Sequence, residues 1–239
     1  NTDCCGADMK KWKIGLLCFC SCLGAFLAGT ICSGQKTLRQ AGGGAVENES
    51  DADREVLKVA LTFDDGPHSV CTPKLLDGLK ERGVSATFFV LGRNIQGNEE
   101  LLLRMKEEGH LIGNHTFSHK DLTELSRERA EQEVIRTGNA IYEATGVYTA
   151  FVRPPFGRWP ENLEFRVTMI PVLWTVDSRD WELRDAGAVE EYVLSRTEPG
   201  DVILMHDCYE TSVEAALFIV DRLREQGYSF VTVDELILP

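Results

Sequence analysis

From Val56 onward, short apolar runs alternate with amphipathic stretches. Val56–Phe63, Ala86–Leu91, His110–Gly113, Thr149–Val152, Val172–Val176, Val202–Met205 and Tyr228–Val233 read as strands. Between them, Pro73–Arg82 reads as a helix with Leu75, Leu76 and Leu79 on one face and Gly83 as a stop. Glu99–Glu108 is a second helix, closed by Gly109. A long helix opens at Ser126, with Glu128 and Glu131 early and Gly146 past its end. Val213–Gln226 is a further helix. Such alternation predicts an α/β fold, with parallel strands inside and helices packed outside. The pattern alone does not distinguish a closed barrel from an open sheet.

The preceding residues follow a different rule. Met9–Lys13 is basic, and Ile14–Cys32 then runs for 19 residues without a charge. A basic start followed by an apolar run reads as a targeting segment over 1–33, either a signal anchor or a cleaved signal peptide. The flanking lysines would stay in the cytoplasm, and the chain after Ser33 would be exported. Residues 34–55 are Gly-rich, then acidic, with no apolar period, and read as a flexible linker. A linker of that length spans on the order of 25 Å. Residues 56–239 form the remaining domain, expected to be monomeric. Six of the eight cysteines fall between Cys4 and Cys32, so the domain is no disulfide scaffold. The formal net charge of -13 argues against nucleic acid as a partner, since phosphates would be repelled.

Five polar motifs punctuate the domain: Thr62–Pro67, His115–His119, Arg153–Gly157, Asp177–Trp181 and Leu204–Asp207. Four of them begin at or just after the end of an expected strand, where parallel barrels build their sites. Asp64 and Asp65 would face opposite ways in a regular strand, but the Gly66–Pro67 turn can bring both to one pocket. Paired carboxylates can divide labour, one binding a metal and the other accepting a proton. His115 and His119, four apart, are expected on one side of a helical turn, where both reach one ion. Two imidazoles and a carboxylate suit zinc or a similar divalent ion with open positions. Arg153, before two prolines, can hold a carboxylate by a bidentate contact. His206 can act as a general acid if a carboxylate keeps it protonated, Asp180 first, with Asp207 the alternative nearer in sequence. Trp181 and Leu204 can wall a small apolar pocket or belong to the core. His68 reads as a solvated loop residue that can reach substrate, and His110 as structural.

These residues resemble the polysaccharide deacetylases that share the NodB homology domain, carbohydrate esterase family 4, over about residues 56–238. The resemblance implies a distorted (β/α) barrel with fewer than eight regular strands. It implies removal of acetyl groups from N-acetylglucosamine polymers or acetylated xylan. By the same resemblance Asp65, His115 and His119 are the metal ligands, for Zn2+, Co2+ or another divalent ion. Asp64 is the general base, Arg153 orients it, and His206 is the general acid with Asp180 tuning its proton. Trp181 and Leu204 surround the acetyl methyl, and the Phe156 main-chain N–H meets the oxyanion. The expected substrate is an N-acetylated cell-wall glycan, peptidoglycan first, with chitooligosaccharide or acetyl-xylan as alternatives. A non-catalytic glycan-binding module is the rival from another class, and retention of the Asp and both His weighs against it. Two departures matter for the resemblance: the Phe156–Asp177 stretch is short, with Pro160 and Pro171. Cys71 and Cys208 either stand as separate thiols or bridge across the site.

Overall fold

The computed structural model describes residues 57–160 and 168–238. The expected targeting segment and linker lie outside those residues, as does part of the short Phe156–Asp177 stretch. Among the described residues, no helix is long and apolar enough to cross a membrane.

Eight strands form one parallel sheet: β1 Leu57–Asp64, β2 Thr87–Val90, β3 Leu111–Asn114, β4 Phe151–Val152, β5 Ile170–Pro171, β6 Val176–Asp177, β7 Val202–His206 and β8 Tyr228–Phe230. Their lateral order is β5-β4-β3-β2-β1-β7-β6, with β8 pairing the first residues of β1. The sheet curls into a partial barrel. The longer helices are α1 Cys71–Arg82, α3 Glu99–Glu107, α4 Arg127–Thr145, α6 Ala186–Leu194 and α7 Glu210–Glu225; α2 Gly92–Ile95, α5 Asp180–Leu183 and α8 Val233–Ile237 are short.

The pleat sorts the core into two layers. Val59, Leu61 and Phe63 of β1 point outward with Phe88, Val90, Ile203 and Met205, and meet Leu75, Leu76 and Leu79 of α1 and Ala216, Ile219 and Val220 of α7. Ala60, Phe89 and Val202 point inward with Phe151, Val172 and Val233. The same inward face carries Thr62 and Asp64 on β1, in register with Leu204 and His206 on β7. Thus the lower barrel is apolar, and polarity rises toward the C-terminal strand ends. Gly113 on β3 lies opposite Phe89, and a Cβ there would collide with the Phe89 ring.

Helix boundaries follow local chemistry. Gly83 and Gly146 end α1 and α4 in the left-handed conformation (φ 61° and 72°). Ser126 caps α4 by accepting from the Arg129 N–H. Two expected strands need correction. The strand expected at Val172–Val176 is replaced by two short strands, β5 before it and β6 beginning at its last residue, Val176. The carbonyls of Val172 and Leu173 instead accept from the Arg153 guanidinium. The strand expected at Tyr228–Val233 stops at Phe230, because Thr232 and Glu235 form a capping box that starts α8. Helix α6 was not expected; it opens on Asp185, whose side chain accepts from the Ala188 N–H.

Candidate metal centre and active site

All five motifs gather at the C-terminal ends of the strands. At the end of β1 the backbone turns sharply: Asp65 is left-handed, with φ 73°. That twist undoes the strand alternation, so adjacent carboxylates reach one pocket. The turn is closed by a cis Gly66–Pro67 bond, and the Asn94 amide donates to the Asp65 carbonyl at 2.8 Å. Gly66 lies against the Asp207 carboxylate, leaving no room for a Cβ.

The imidazoles come together for a reason other than the expected helical turn. Residues 115–119 are not helical. Thr116 and His119 both take positive φ, 66° and 60°, and the bend folds the rings to 5.0 Å between centroids. Two anchors hold the bend. Asn114 accepts the Thr116 N–H at 2.9 Å and donates to Val134 on α4. Glu133, also on α4, accepts the N–H groups of Phe117 and Ser118 and the Ser118 hydroxyl at 2.7–3.0 Å. Sequence reasoning missed Glu133; its only trace is an acid beside the inward positions Ala130, Val134 and Thr137 of a long helix.

Asp65 Oδ1 stands 3.5 Å from His115 Nε2 and 3.6 Å from His119 Nε2. The three donor atoms all lie within 4.8 Å of one another. Asp65 Oδ1 is buried and has no hydrogen-bond partner. His115 donates Nδ1–H to the Arg153 carbonyl at 2.7 Å, which turns the unprotonated Nε2 toward the cluster. Burial pushes the His115 pKa down to about 3, with the His119 and Arg153 charges adding to the effect against the pull of Asp65. A neutral imidazole is the ligating form. One carboxylate oxygen without a partner and two imidazole nitrogens fit a divalent ion.

Asp64 is set beside this cluster. Its Oδ1 accepts from Arg153 NH1 at 2.8 Å, while Oδ2 faces His115 Nε2 at 3.6 Å. Burial pushes its carboxyl above the usual range, opposed by the Arg153 and His206 charges. Arg153 itself is fully buried, 4.2 Å above the Phe89 ring centre. It holds Asp64 by one prong rather than the expected two, because NH1 also donates to Thr62 Oγ1 at 2.7 Å. Nε and NH2 meanwhile reach the Val172 and Leu173 carbonyls at 3.2 and 3.1 Å. The guanidinium therefore links β1 to the chain after β5 across the barrel interior.

His206, at the end of β7, is bound to Asp180: Nδ1 meets Oδ1 at 2.7 Å, and its main-chain N–H donates to Oδ2 at 2.8 Å. Burial alone would lower the imidazole pKa, but the Asp180 charge and hydrogen bond overrule it and raise the value to about 9. Asp207, the other possible partner, turns away; it accepts from the Thr72 hydroxyl, and burial lifts its pKa to about 7. Trp181 is the second residue of α5, after Asp180, and is half-buried, and Leu204 is buried on the inward face of β7. Phe156 takes φ 59° and sets its ring edge-on to His119, centroids 4.9 Å apart. His68 is an exposed loop residue, as expected, and its Nδ1 accepts the Cys71 N–H at 3.1 Å. His110 is buried, accepts the Ala86 N–H and packs edge-on to Phe88. Cys71 and Cys208 are both free thiols.

The family model that matches this chain is polysaccharide deacetylase, over residues 51–169. The chain is 40% identical over 179 residues to the peptidoglycan-N-acetylglucosamine deacetylase PgdA of Listeria monocytogenes, covering 75% of this chain and 38% of that one. It is 40% identical over 192 residues to the peptidoglycan-N-acetylmuramic acid deacetylase PdaC of Bacillus subtilis, covering 80% and 41%. The solved structure of PdaC superposes with a TM-score of 0.74 over 78% of this chain and 91% of that chain, at 41% identity. Against a chitooligosaccharide deacetylase of Rhizobium leguminosarum bv. trifolii it is 34% identical over 196 residues, covering 75% and 91%. The chain thus spans about two fifths of the length of PgdA and PdaC.

Proposed function

The chain belongs to the polysaccharide deacetylase family, and on that premise we propose that it removes N-acetyl groups from N-acetylglucosamine residues of peptidoglycan, using a divalent ion, zinc first. The observation that carries this reading is the meeting of Asp65 Oδ1 with His115 Nε2 and His119 Nε2, alongside a carboxylate held by a buried arginine. When bound, such an ion polarises the acetamide carbonyl and acidifies water. Asp64 takes the proton of the attacking water through Oδ2, since Oδ1 is engaged by Arg153. Its burial raises its basicity, which suits that task. The Phe156 N–H donates to the oxygen that gains charge, and Trp181 and Leu204 enclose the methyl. His206, kept protonated by Asp180, donates to the departing amine, leaving acetate and a free amino sugar.

The glycan lies outside the cell, so the reading includes export, with residues 1–33 as signal anchor or signal peptide. Chitooligosaccharide is the second reading, favoured by the Rhizobium relative, of which this chain covers 91%. Acetate release by the purified full chain from peptidoglycan, chitooligosaccharide and acetyl-xylan separates them. We expect the highest kcat/KM on peptidoglycan; release from chitooligosaccharide alone would move the substrate, and release from none would reject the hydrolase.

A pH profile tests His206. Its folded-state pKa is raised, so the charged acid persists to about pH 9 and turnover falls as pH climbs through that value. The linked stability has the same sign: complete below the ordinary histidine value, lost through about pH 9. Asp180→Asn removes the charge that opposes burial, and the alkaline limb should move down by one unit or more. An unmoved limb in a folded variant would take the proton-donating role from His206.

A further inference from the structure

We infer that Arg184 is a specificity residue that recognises a carboxylate on the glycan, a role that rests on the deacetylase reading above. Arg184 follows α5, the short helix that leaves the C-terminal end of β6 and opens on Asp180. Two contacts fix it there. Its Nε–H donates to the Trp181 carbonyl at 2.7 Å, and Trp181 in turn follows Asp180. Its guanidinium lies 3.5 Å over the ring of Tyr209, three residues beyond His206. The backbone at Arg184 is left-handed, φ 51°, so the turn as well as the stack aims the side chain.

The carboxylates around it are engaged elsewhere. Glu182 pairs with Arg179 at 2.5 Å. Glu210, next to Tyr209, pairs with Lys74 at 2.5 Å. Asp185 caps α6 through the Ala188 N–H at 2.8 Å. Asp180 holds His206 at 2.7 Å. Among the described residues no carboxylate lies within ion-pair distance of Arg184, and the residue is exposed. Stacking occupies one face and Trp181 takes Nε; among the described residues neither terminal NH2 group has a hydrogen-bond or ion-pair partner. That is a pre-ordered fork, and its geometric complement is a carboxylate.

The global charge sharpens the point. A chain of formal charge -13 repels an acidic glycan at long range. A neutral chitin-like oligomer needs no cation at the mouth, whereas a glycan bearing acids gains from one held in place. In peptidoglycan that acid has two possible sources, the lactyl carboxylate of muramic acid or a carboxylate of an attached peptide. Both offer Arg184 the same planar pair of oxygens.

The test is Arg184→Gln in the full chain, assayed by acetate release on four substrates. They are a neutral chitooligosaccharide, peptide-free glycan strands with the lactyl carboxylate exposed, the same strands with that group amidated, and strands retaining their peptides. The variant should lose about tenfold in kcat/KM, mostly through KM, on whichever acidic strand supplies the carboxylate. It should stay within twofold of wild type on the neutral and amidated substrates. Loss on peptide-free strands identifies the lactyl group; loss only on peptide-bearing strands identifies the peptide. Raising salt should narrow the wild-type preference for the acidic strand. An equal loss on all four substrates, or no loss on either acidic strand, overturns the inference. Should wild type release acetate from none of them, the deacetylase reading fails. Calorimetric binding of carboxylate against amidated strands by wild type and variant then decides on Arg184 separately.

Discussion

Asp64→Asn should lower kcat by about a thousandfold, within the range general-base catalysis supplies. The substitution keeps the size of the side chain and an oxygen that can accept from Arg153 NH1. It removes the lone-pair basicity of Oδ2, the oxygen turned toward the cluster. It also leaves the Arg153 guanidinium buried without its counter-charge, which costs stability. Activity must therefore be read beside a melting curve and a metal analysis. A folded variant that holds its ion and turns over a thousandfold slower supports the base; near-normal turnover would reject it.

The second large effect concerns the ion. Exhaustive chelation should reduce acetate release by at least a thousandfold, and Zn2+ or Co2+ should restore it. Asp65→Asn should weaken ion affinity on the order of a hundredfold or more. Asparagine is the informative choice, because it tolerates the left-handed backbone at this position and removes only the charge. The ion should also raise the melting temperature of the native chain, by binding only the folded form, and do so less in the variant. Full turnover by protein shown free of metal would dispose of the centre altogether.

Much of this architecture was legible because strand and helix periods are local. The β1 run Val59, Leu61, Phe63 and the α1 leucines face each other as the alternation requires. The motif residues were legible for a similar reason: each sits at a strand end, and parallel strands collect their ends on one side. What escaped depends on distant contacts. Nothing near Val172–Val176 announces that Arg153 will claim two of its carbonyls. The His115–His119 bend is set by Asn114 and by Glu133 from α4, so its four-residue spacing suggested a helix that does not form. The Asp207 carboxylate is taken up by Thr72, more than a hundred residues away. The expected partner of His206 is Asp180 rather than the nearer Asp207, and the β7–α5 approach delivers it to the ring.

Asp65, Thr116, His119, Phe156, Arg179 and Arg184 are the six non-glycine residues with positive φ among those described. An engineer seeking a hardier enzyme would find glycine an inviting exchange at each, since it relieves a conformational penalty of about 1–2 kcal/mol. Yet four of the six, Asp65, His119, Phe156 and Arg184, are residues proposed above to hold the ion or meet the substrate. Heat tolerance in this chain is better sought on the outer helices, where robustness and turnover do not compete for the same atoms.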